Sequence, residues 1–398
     1  MDNPTPARVL TRGTLYAMAL AAGLAVANIY YNQPMLGIMG RDLHDGAVER
    51  WIPMLTQLGY AAGLLFLVPL GDALERRRLI VVQFVVLAVA LVAAALAPGL
   101  ATLAIASVLV GAMATAAQQI VPFATLLAEP AKRGAAVGTV MSGLLTGILL
   151  SRTIAGFVSS AAGWRAMFWL AVPVALAGAI LMRLRLPEHR PTRRVGYGEL
   201  MTSLVGLWRR EPLLRRASLT QAVIFASFSA FWTVLALRLE QPPLNLGAAS
   251  AGLFGVVGAV GVAMAPLAGR VADRRGPWPV IAAGALATVV AWAVFALWPS
   301  LVGLIVGVIL LDFGVQIALV SHQHLVYGLH PEFKSRLNTL FMTTMFLGGA
   351  AGSFAAAEAW RRAGWIGVCI LGGGLAAIAL VSRLLHRVPR HTETPTQA

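Results

Sequence analysis

Two charged side chains lie inside long apolar runs of this sequence. Asp312 falls about eleven residues into one run, and Arg152 falls in the second half of another. Charges at bilayer depth cost free energy and usually serve binding or coupling. An apolar surrounding favours the neutral form of a carboxyl group, so Asp312 can carry a proton, whereas a nearby Arg152 favours the charged form. We therefore predict a proton switch between the two, with a static ion pair that holds two helices together as the alternative.

The run that contains Asp312 continues with further polar side chains. Gln316 follows Asp312 by four residues, so the two share one face of a helix. His322 and His324 come later, where a histidine is either a proton relay or an ordinary wetted side chain. Their spacing lacks the H-E-x-x-H pattern of a zinc site, and the single cysteine, Cys369, excludes a cysteine-rich one. We therefore expect no metal and no cofactor.

Apolar runs of membrane-spanning length position these residues. The chain has 398 residues, of which 58% are hydrophobic and 12% charged, and this composition excludes an ordinary soluble domain. A bilayer core of about 30 Å needs roughly 20 apolar residues per helix, and backbone groups in lipid must be paired within the helix. The fold class predicted is an all-α polytopic membrane protein with twelve transmembrane helices. The predicted spans are 13–36, 51–70, 79–97, 101–126, 136–160, 166–184, 216–237, 249–269, 278–297, 301–326, 337–359 and 364–384.

The basic residues divide unevenly between the two sides of these spans. With the N-terminus inside, 24 of the 31 lysines and arginines lie on the inner side and 6 on the outer side. The net charge of +15 therefore reflects the loops of a membrane protein and not a nucleic-acid surface. The sequence has 29 arginines and 2 lysines, a preference typical of a GC-rich bacterial genome. We expect both termini in the cytoplasm, the chain in a bacterial inner membrane among lipids, and no nucleic-acid partner.

Landmarks recur in the two halves of the chain at an offset of 201 residues. The matched positions are Asp72 with Asp273, Pro130 with Pro331, Gly147 with Gly348, and Gly163-Trp164 with Gly364-Trp365. A parallel repeat is typical of transporters whose site lies between two rocking halves. We therefore divide the chain into an N-terminal six-helix bundle, 1–185, a cytoplasmic linker, 186–213, and a C-terminal six-helix bundle, 214–398. Within the linker, Tyr197–Arg210 is predicted to form an amphipathic helix along the membrane surface.

The loop after the eighth span carries a recognisable signature. The segment 269–276 reads G-x-x-x-D-R-x-G, which resembles the loop signature of the major facilitator superfamily. The copy after the second span keeps the aspartate and is followed by arginines, but it has lost both glycines. The resemblance implies that these charges lock one side of a transporter shut, and the alternative is that they are topology signals alone. The gating residues implied are Asp72, Arg76, Gly269, Asp273 and Arg274.

Span 5 carries a second resemblance. The segment 147–156 reads GILLSRTIAG, which is similar to the G-x-x-x-G-P-x-x-G-G signature of the family's proton-coupled exporters, although Ser151, Arg152 and Ala155 depart from it. The chain thus resembles the bacterial twelve-helix drug:proton-antiporter-like branch of that superfamily. In the family, spans 1, 4, 7 and 10 line the cavity and most members are monomers, which implies a monomer here. The substrate-cavity candidates implied are Asn28, Tyr31, Gln119, Gln221, Trp232 and Gln316.

These patterns are compatible with three functions. The first is proton-coupled efflux of small amphipathic or drug-like compounds by alternating access. The second is a carrier for a small organic anion, working by uptake symport or facilitation, whose carboxylate pairs with Arg152. The feature that discriminates these two is whether Arg152 is free or tied to Asp312. The third is a membrane-embedded enzyme, which we do not expect because the sequence offers neither a convincing buried nucleophile–base pair nor a phosphate-binding loop.

Overall fold

The computed structural model describes residues 10–189, 196–263, 276–330 and 333–385, and among these residues the only regular structure is helical. The α-helices are α1 (Arg12–Ala27), α2 (Leu36–Asp42), α3 (Val48–Ala62), α4 (Arg76–Ala95), α5 (Leu100–Ala114), α6 (Ala116–Leu127), α7 (Arg133–Ala162), α8 (Trp164–Arg185), α9 (Tyr197–Arg210), α10 (Pro212–Glu240), α11 (Ala248–Ala263), α12 (Pro277–Leu297), α13 (Leu301–Leu329) and α14 (Lys334–Leu385). Between them lie short 3-10 turns at Gln33–Met35, Pro69–Asp72 and Pro130–Lys132 and a π-helical turn at Gly63–Leu67.

These helices amount to twelve membrane crossings. In the described part of the chain, nine helical segments are long and apolar enough to cross a bilayer. The longest of them, α14, holds two crossings, because Ala363 and Gly364 interrupt it with non-helical dihedral angles. Two shorter apolar helices, α1 and α11, supply the remaining crossings. The predicted fold class, twelve transmembrane helices and no strand, is therefore confirmed for the described residues.

The internal repeat is visible in the helix packing. Gly147 of α7 lies against the backbone of Gly23 in α1, and Gly348 of α14 lies against the backbone of Ala222 in α10. A side chain at either glycine would collide with the facing backbone. In each half, therefore, the fifth crossing packs closely on the first crossing through an equivalent glycine, which is how small residues bring helices together in membranes.

Equivalent turns also connect the fifth and sixth crossings of each half. Gly163 has a φ of 81° and Gly364 has a φ of 57°, a left-handed conformation that favours glycine. Each glycine precedes a buried tryptophan, Trp164 or Trp365. The indole of Trp365 donates to the carbonyl of Phe295 at 3.1 Å. The sequence offset of 201 residues thus corresponds to the same local structure in both halves.

The linker helix α9 lies at one end of the bundle, which we call the linker end. It has the bounds expected from its amphipathic pattern. Leu200 and Leu204 are buried, and the Tyr197 hydroxyl donates to the carbonyl of Phe66 at 3.0 Å. Arg209 and Arg210 are exposed in its last turn. The helix therefore rests its apolar face on the bundle and turns its basic end outward.

The opposite end of the bundle, which we call the distal end, contains the connections α2–α3, α7–α8 and α10–α11. Polar contacts join the two halves there. Arg41 pairs with Glu240 at 2.5 Å and Arg50 pairs with Glu358 at 3.4 Å. The backbone N–H of Ala249 donates to the hydroxyl of Ser160 at 3.1 Å. In this conformation the halves are bridged at the distal end.

Candidate substrate and coupling site

Arg152 lies inside the bundle and contacts both halves. It extends from α7 and is 3% exposed. Its Nε donates to Oε1 of Gln33 at 2.8 Å. The guanidinium carbon lies 4.5 Å from the ring centre of Tyr30 and 4.0 Å from that of Trp232, distances at which a cation is attracted to an aromatic face. Because Trp232 belongs to α10 and the other contacts to the first half, this one cation spans the interface between the halves.

An interruption in the first crossing presents two of these contacts. The helix α1 ends at Ala27, and turn residues lead to the 3-10 turn Gln33–Met35. Pro34 has no N–H and cannot pair with the carbonyl of Tyr30, so a regular helix does not continue through this point. Tyr30 and Gln33 therefore lie on irregular backbone that is buried within the protein, where such backbone is tolerated in membrane proteins.

Two neighbouring donors at this position lack an acceptor within the described part of the chain. They are Nη2 of Arg152 and Nε1 of Trp232, and both side chains are buried. Most buried donors in proteins are paired, and an unpaired one costs about 1–3 kcal/mol, or more when it is charged. Each of the two N–H groups has the chemistry to donate a hydrogen bond to one oxygen of a carboxylate.

Asp312 lies on α13 and is 6% exposed. Its Oδ2 has no hydrogen-bond partner among the described residues. Nor does an ion pair join Asp312 to Arg152 in the described part of the chain, although the two charges are near enough to interact electrostatically. Arg152 is therefore not tied to Asp312 in this conformation.

The helix α11 contacts both charged residues through closely approaching glycines. A methyl group on Gly255 would lie 3.2 Å from Cβ of Arg152. A methyl group on Gly258, one turn further on, would lie 3.1 Å from Oδ1 of Asp312. Neither position has room for a larger side chain without movement of its neighbour. Span 8 is therefore in direct contact with both the cation and the anion of the site.

Three of the amides predicted to line a cavity bond to the protein itself. Asn28 donates its Nδ2 to two carbonyls in the last turn of α1, at 2.7 and 3.2 Å. Gln119 donates its Nε2 to the carbonyls of Leu67 and Val68, at the end of the π-helical turn in the second crossing, at 2.7 and 3.2 Å. Oε1 of Gln221 lies 2.9 Å from Nδ1 of His322, and both side chains are buried. The contacts of Asn28 lie within its own helix, those of Gln119 and Gln221 join helices within a half, and the substrate roles of the three amides stay predictions.

The remaining cavity candidates occupy different surroundings. Trp232 lies against Arg152, as described above. Tyr31 is buried next to the interruption of the first crossing. Gln316 is partly buried, one helical turn from Asp312 on α13. Of the six predicted cavity residues, the structure brings Trp232 into contact with Arg152.

The gating residues are described in one half only. Asp72 and Arg76 form an ion pair at 2.7 Å, and Nε of Arg76 also donates to the carbonyl of Gly71 at 2.9 Å. These contacts hold the turn between the second and third crossings. The second-half counterparts Gly269, Asp273 and Arg274 lie outside the described residues.

A buried polar cluster between the halves was not identified from the sequence. Nε2 of Gln57 donates to the hydroxyl of Ser353 at 2.6 Å, and the hydroxyl of Thr233 donates to the same oxygen at 2.9 Å. The hydroxyl of Ser229 donates to Oε1 of Gln57 at 3.3 Å. We call Gln57, Ser229, Thr233 and Ser353 the polar latch, because they join the second crossing to the seventh and the eleventh.

Sequence reasoning also missed Gln33 and Tyr30 as partners of Arg152. Both residues were visible in the run NIYYNQP, where a proline follows several polar and aromatic residues inside an apolar span. Irregular backbone inside a membrane span is tolerated where it is buried in protein or lines a cavity, so this run was the available signal. The polar latch had no such signal, since single glutamines, serines and threonines occur throughout the spans.

Comparison with known proteins agrees with this architecture. The family model described as Major Facilitator Superfamily matches residues 18–353. The chain belongs to the Major Facilitator Superfamily. It is 40% identical over 384 residues to YgaY, an uncharacterised transporter of Escherichia coli strain K12, with 96% of each chain covered. It is 34% identical over 374 residues to SCO4007, named as a transporter of Streptomyces coelicolor, with 92% of this chain and 86% of that one covered.

Solved structures of superfamily transporters share the fold. A bacterial homologue of the human lysosomal transporter Spinster aligns with a TM-score of 0.74 at 14% identity, over 93% of this chain and 94% of that chain. The nucleoside transporter NupG aligns with a TM-score of 0.72 at 13% identity, over 94% of this chain and 99% of that chain. At such low identity these alignments establish the fold alone. Together with the family and the named relatives, they make this chain a multi-pass membrane transporter.

Proposed function

We propose that this transporter carries a small organic anion by alternating access, with the anionic group bound by Arg152 and Trp232. The observation that supports this most directly is the pair of unpaired, buried donors, Nη2 of Arg152 and Nε1 of Trp232. Asp312 offsets the charge of Arg152 at a distance, but it forms no ion pair with the guanidinium in the described structure, so Nη2 is left without a direct acceptor. A substrate carboxylate meets the needs of both donors, since arginine and indole donors each bind one oxygen.

The position of the two donors favours a binding site formed between two parts of the protein that move during transport. Arg152 is on the fifth crossing and Trp232 on the seventh, so an anion bound between them contacts both halves. Transporters with parallel repeats hold substrate at the interface and rock the halves around it. The rings of Tyr30 and Trp232 lie beside the cation and favour a substrate with an apolar or aromatic body.

Proton coupling through Asp312 is the second part of the proposal. Asp312 is buried, and its Oδ2 has no partner among the described residues, so a proton can add there without breaking a described hydrogen bond. Uncharged Asp312 would leave Arg152 as the charged group of the site, available to the anion. The proton and the anion would therefore bind together.

Proton-coupled efflux of amphipathic compounds, ranked first from the sequence, is the second candidate function. Oδ2 of Asp312, which has no partner among the described residues, supports it, because a cationic group of a drug-like compound would bind there. Arg152 counts against it, since a cation at Asp312 would leave the guanidinium without a counter-charge. The two functions differ in the charge of the compound that binds.

We further propose that the linker end faces the cytoplasm of a bacterium, with the chain in its inner membrane. The division of 24 basic residues against 6 supports this orientation. Single cysteines at Gly198 and Gly46, both exposed, test it in a Cys369→Ser background. We expect a membrane-impermeant maleimide to label the cysteine at position 46 in intact cells and the cysteine at position 198 only after the cells are lysed. Labelling in the opposite pattern would reverse the orientation.

Binding and uptake experiments test the substrate class. The purified protein is titrated with benzoate, benzenesulfonate, tetraphenylphosphonium and ethidium, and thermal stabilisation and tracer uptake into proteoliposomes are recorded. We expect stabilisation and uptake by the anions, and a loss of at least about tenfold in affinity in Arg152→Gln, since a hydrogen bond to a charged group contributes about 1.5–3 kcal/mol. Binding of the cations that depends on Asp312 would instead favour efflux.

Arg238 provides a matched control. It is a second buried arginine whose Nη atoms donate to the carbonyls of Pro242 and Pro299 at 3.4 and 3.3 Å, and its Nε is the atom without a partner among the described residues. We expect Arg238→Gln to lower stability and to leave anion affinity unchanged. Equal losses of affinity in Arg152→Gln and Arg238→Gln would mean that Arg152 is a structural cation, and the proposed function would fail.

A further inference from the structure

The central site contains one positive and one negative side chain that do not form an ion pair. In the whole sequence, Arg152 and Asp312 are the two lysine, arginine, aspartate or glutamate residues in the interior of the spans, and the others lie near span ends or in loops. Both are buried, and each has a polar atom without a partner among the described residues. A net charge that moves through an apolar interior costs far more than a balanced one. The charge balance of the site therefore restricts what it can carry.

The other ionisable groups near the site do not alter this balance. Tyr30 interacts with both charges, and a tyrosine phenol is neutral near pH 7. The helices α11 and α12 contain no ionisable residue in their described bounds. The charges of α10 lie toward its ends, and those of α14 lie toward its ends or beside the interruption at Ala363 and Gly364. His322 is ten residues along α13 from Asp312, about 15 Å away.

We infer that the site carries one monovalent anion together with one proton, so that transport is electroneutral. In the empty site, positive Arg152 and negative Asp312 sum to zero. A monovalent anion at Arg152 makes the sum negative, and one proton on the Asp312 carboxylate returns it to zero. On the other side the anion dissociates, the carboxyl releases its proton, and the site is again balanced. Both the loaded and the empty movements then proceed without net charge.

The same balance makes the coupling strict and excludes other stoichiometries. An anion without a proton would leave a charge of minus one, and a proton without an anion would leave plus one. A divalent anion would need a second proton acceptor beside the site, and the nearest histidine on the same helix, His322, lies ten residues from Asp312, about 15 Å away. Exchange of a monovalent cation for a proton would leave Arg152 uncompensated in both loaded states. The inference rests on the proposed function and specifies the charge and the co-substrate of that site.

Benzenesulfonate is a decisive probe because a sulfonate stays ionised across the working pH range. Any proton that accompanies it must be carried by the protein. In proteoliposomes, we expect an inward proton gradient of about one pH unit to accumulate benzenesulfonate about tenfold. A potassium gradient of about a hundredfold with valinomycin, of either sign, should leave that accumulation unchanged, because no net charge responds to the membrane potential. Benzene-1,3-disulfonate should not accumulate.

Asp312→Asn separates the coupling from the binding. With a neutral side chain there, the loaded site is balanced and the empty site is not, so we expect exchange of internal for external anion to persist and gradient-driven accumulation to be lost. Glu129→Gln is the matched control, since Glu129 pairs with Lys132 at 2.8 Å outside the site, and it should accumulate anions as the wild type does.

The possible outcomes distinguish failure of the electroneutral coupling from failure of the proposed function. Electroneutral coupling would be overturned if accumulation followed the potassium gradient or survived in Asp312→Asn. In either case, uptake that depends on Arg152 would leave the proposed function intact. Absence of Arg152-dependent uptake of any monovalent anion would overturn the proposed function and the inference together.

Discussion

At the residue scale, the chemistry of this transporter depends on which buried polar atoms lack partners. Arg152 has its Nε paired with Gln33 and two aromatic rings within 4.5 Å, yet Nη2 has no described acceptor. Asp312 has an unpaired Oδ2 on the opposite half. Unpaired buried groups are costly. Other buried polar atoms of the described residues also lack a partner, among them Nε of Arg238, so the distinguishing feature of this site is an unpaired cationic donor beside an unpaired indole donor.

Trp232→Phe tests the indole as a donor. Phenylalanine keeps an aromatic face for Arg152 but removes Nε1, so we expect the dissociation constant for a monovalent anion to rise about tenfold or more, since a hydrogen bond to a charged group contributes about 1.5–3 kcal/mol. The measurement is calorimetric titration. Trp292→Phe is the control, because Nε1 of Trp292 donates to Ser227 at 2.6 Å, and its loss should affect stability alone. Unchanged affinity in Trp232→Phe would exclude the indole from the site.

At the element scale, the crossings are positioned by close glycine contacts and by side chains that satisfy bent backbone. The second crossing changes from α-helix to a π-turn and then to a 3-10 turn that begins at Pro69. Gln119 of α6 donates to the carbonyls of Leu67 and Val68 at this bend. A bend of this kind is stable in lipid because another helix supplies the missing donors.

Gln119→Leu tests the structural role of this amide against the cavity role predicted from the sequence. Two buried carbonyls would lose their donor, so we expect the free energy of unfolding to fall by about 1–3 kcal/mol with anion affinity unchanged. Thermal unfolding in detergent and anion titration measure the two effects. Gln118→Leu removes a single bond to the hydroxyl of Tyr60 and should cost less. Lost affinity at unchanged stability would instead support the cavity role.

Gly147→Leu tests the contact between the first and fifth crossings. The new side chain would meet the backbone of Gly23, and overpacking of this kind costs about 1–3 kcal/mol, so we expect a lower melting temperature in detergent. Gly138→Leu lies on the same helix with open space around it and should leave stability unchanged or slightly raised through helix propensity. Equal melting temperatures for the two variants would contradict the close contact.

At the scale of the whole molecule, the two halves are joined from the distal end toward the centre. The ion pair of Arg41 with Glu240 lies at the surface of that end, and the pair of Arg50 with Glu358 is partly buried there. The polar latch lies deeper, with Gln57 bonded to Ser353 at 2.6 Å. Exposed ion pairs contribute about 0.2–1 kcal/mol each, whereas loss of a buried hydrogen-bond partner costs about 1–3 kcal/mol. The buried contacts should therefore decide how firmly the distal end stays closed.

Gln57→Leu tests the polar latch. We expect it to shift the population toward a distal-open state about tenfold, because a change of about 1.4 kcal/mol corresponds to that factor. Spin labels at Ala161 and Ala363, both exposed and on opposite halves, report the distance by pulsed electron resonance in a Cys369→Ser background. Arg41→Gln, which removes an exposed pair, should shift the distribution less. A larger shift in Arg41→Gln than in Gln57→Leu would place the dominant closing contact at the surface.

The sequence by itself determined the fold class. Each span must pair its backbone groups within its own helix, and this local requirement produces runs of about 20 apolar residues that are recognisable in the sequence. The repeat was also legible, since Gly147 with Gly348 and Gly163 with Gly364 serve the same packing and turn geometry in each half. Asp312 and Arg152 were prominent because charges are rare at that depth.

Only the tertiary structure decided how these residues meet. Whether Arg152 pairs with Asp312 or with Gln33, Tyr30 and Trp232 depends on distances between helices far apart in the chain. The same holds for amides, since Gln119 bonds to a bent helix and Gln57 joins the two halves, although both are glutamines within apolar spans. A side chain's type fixes what it can donate or accept, but its partner is selected by packing between elements, which no local pattern encodes.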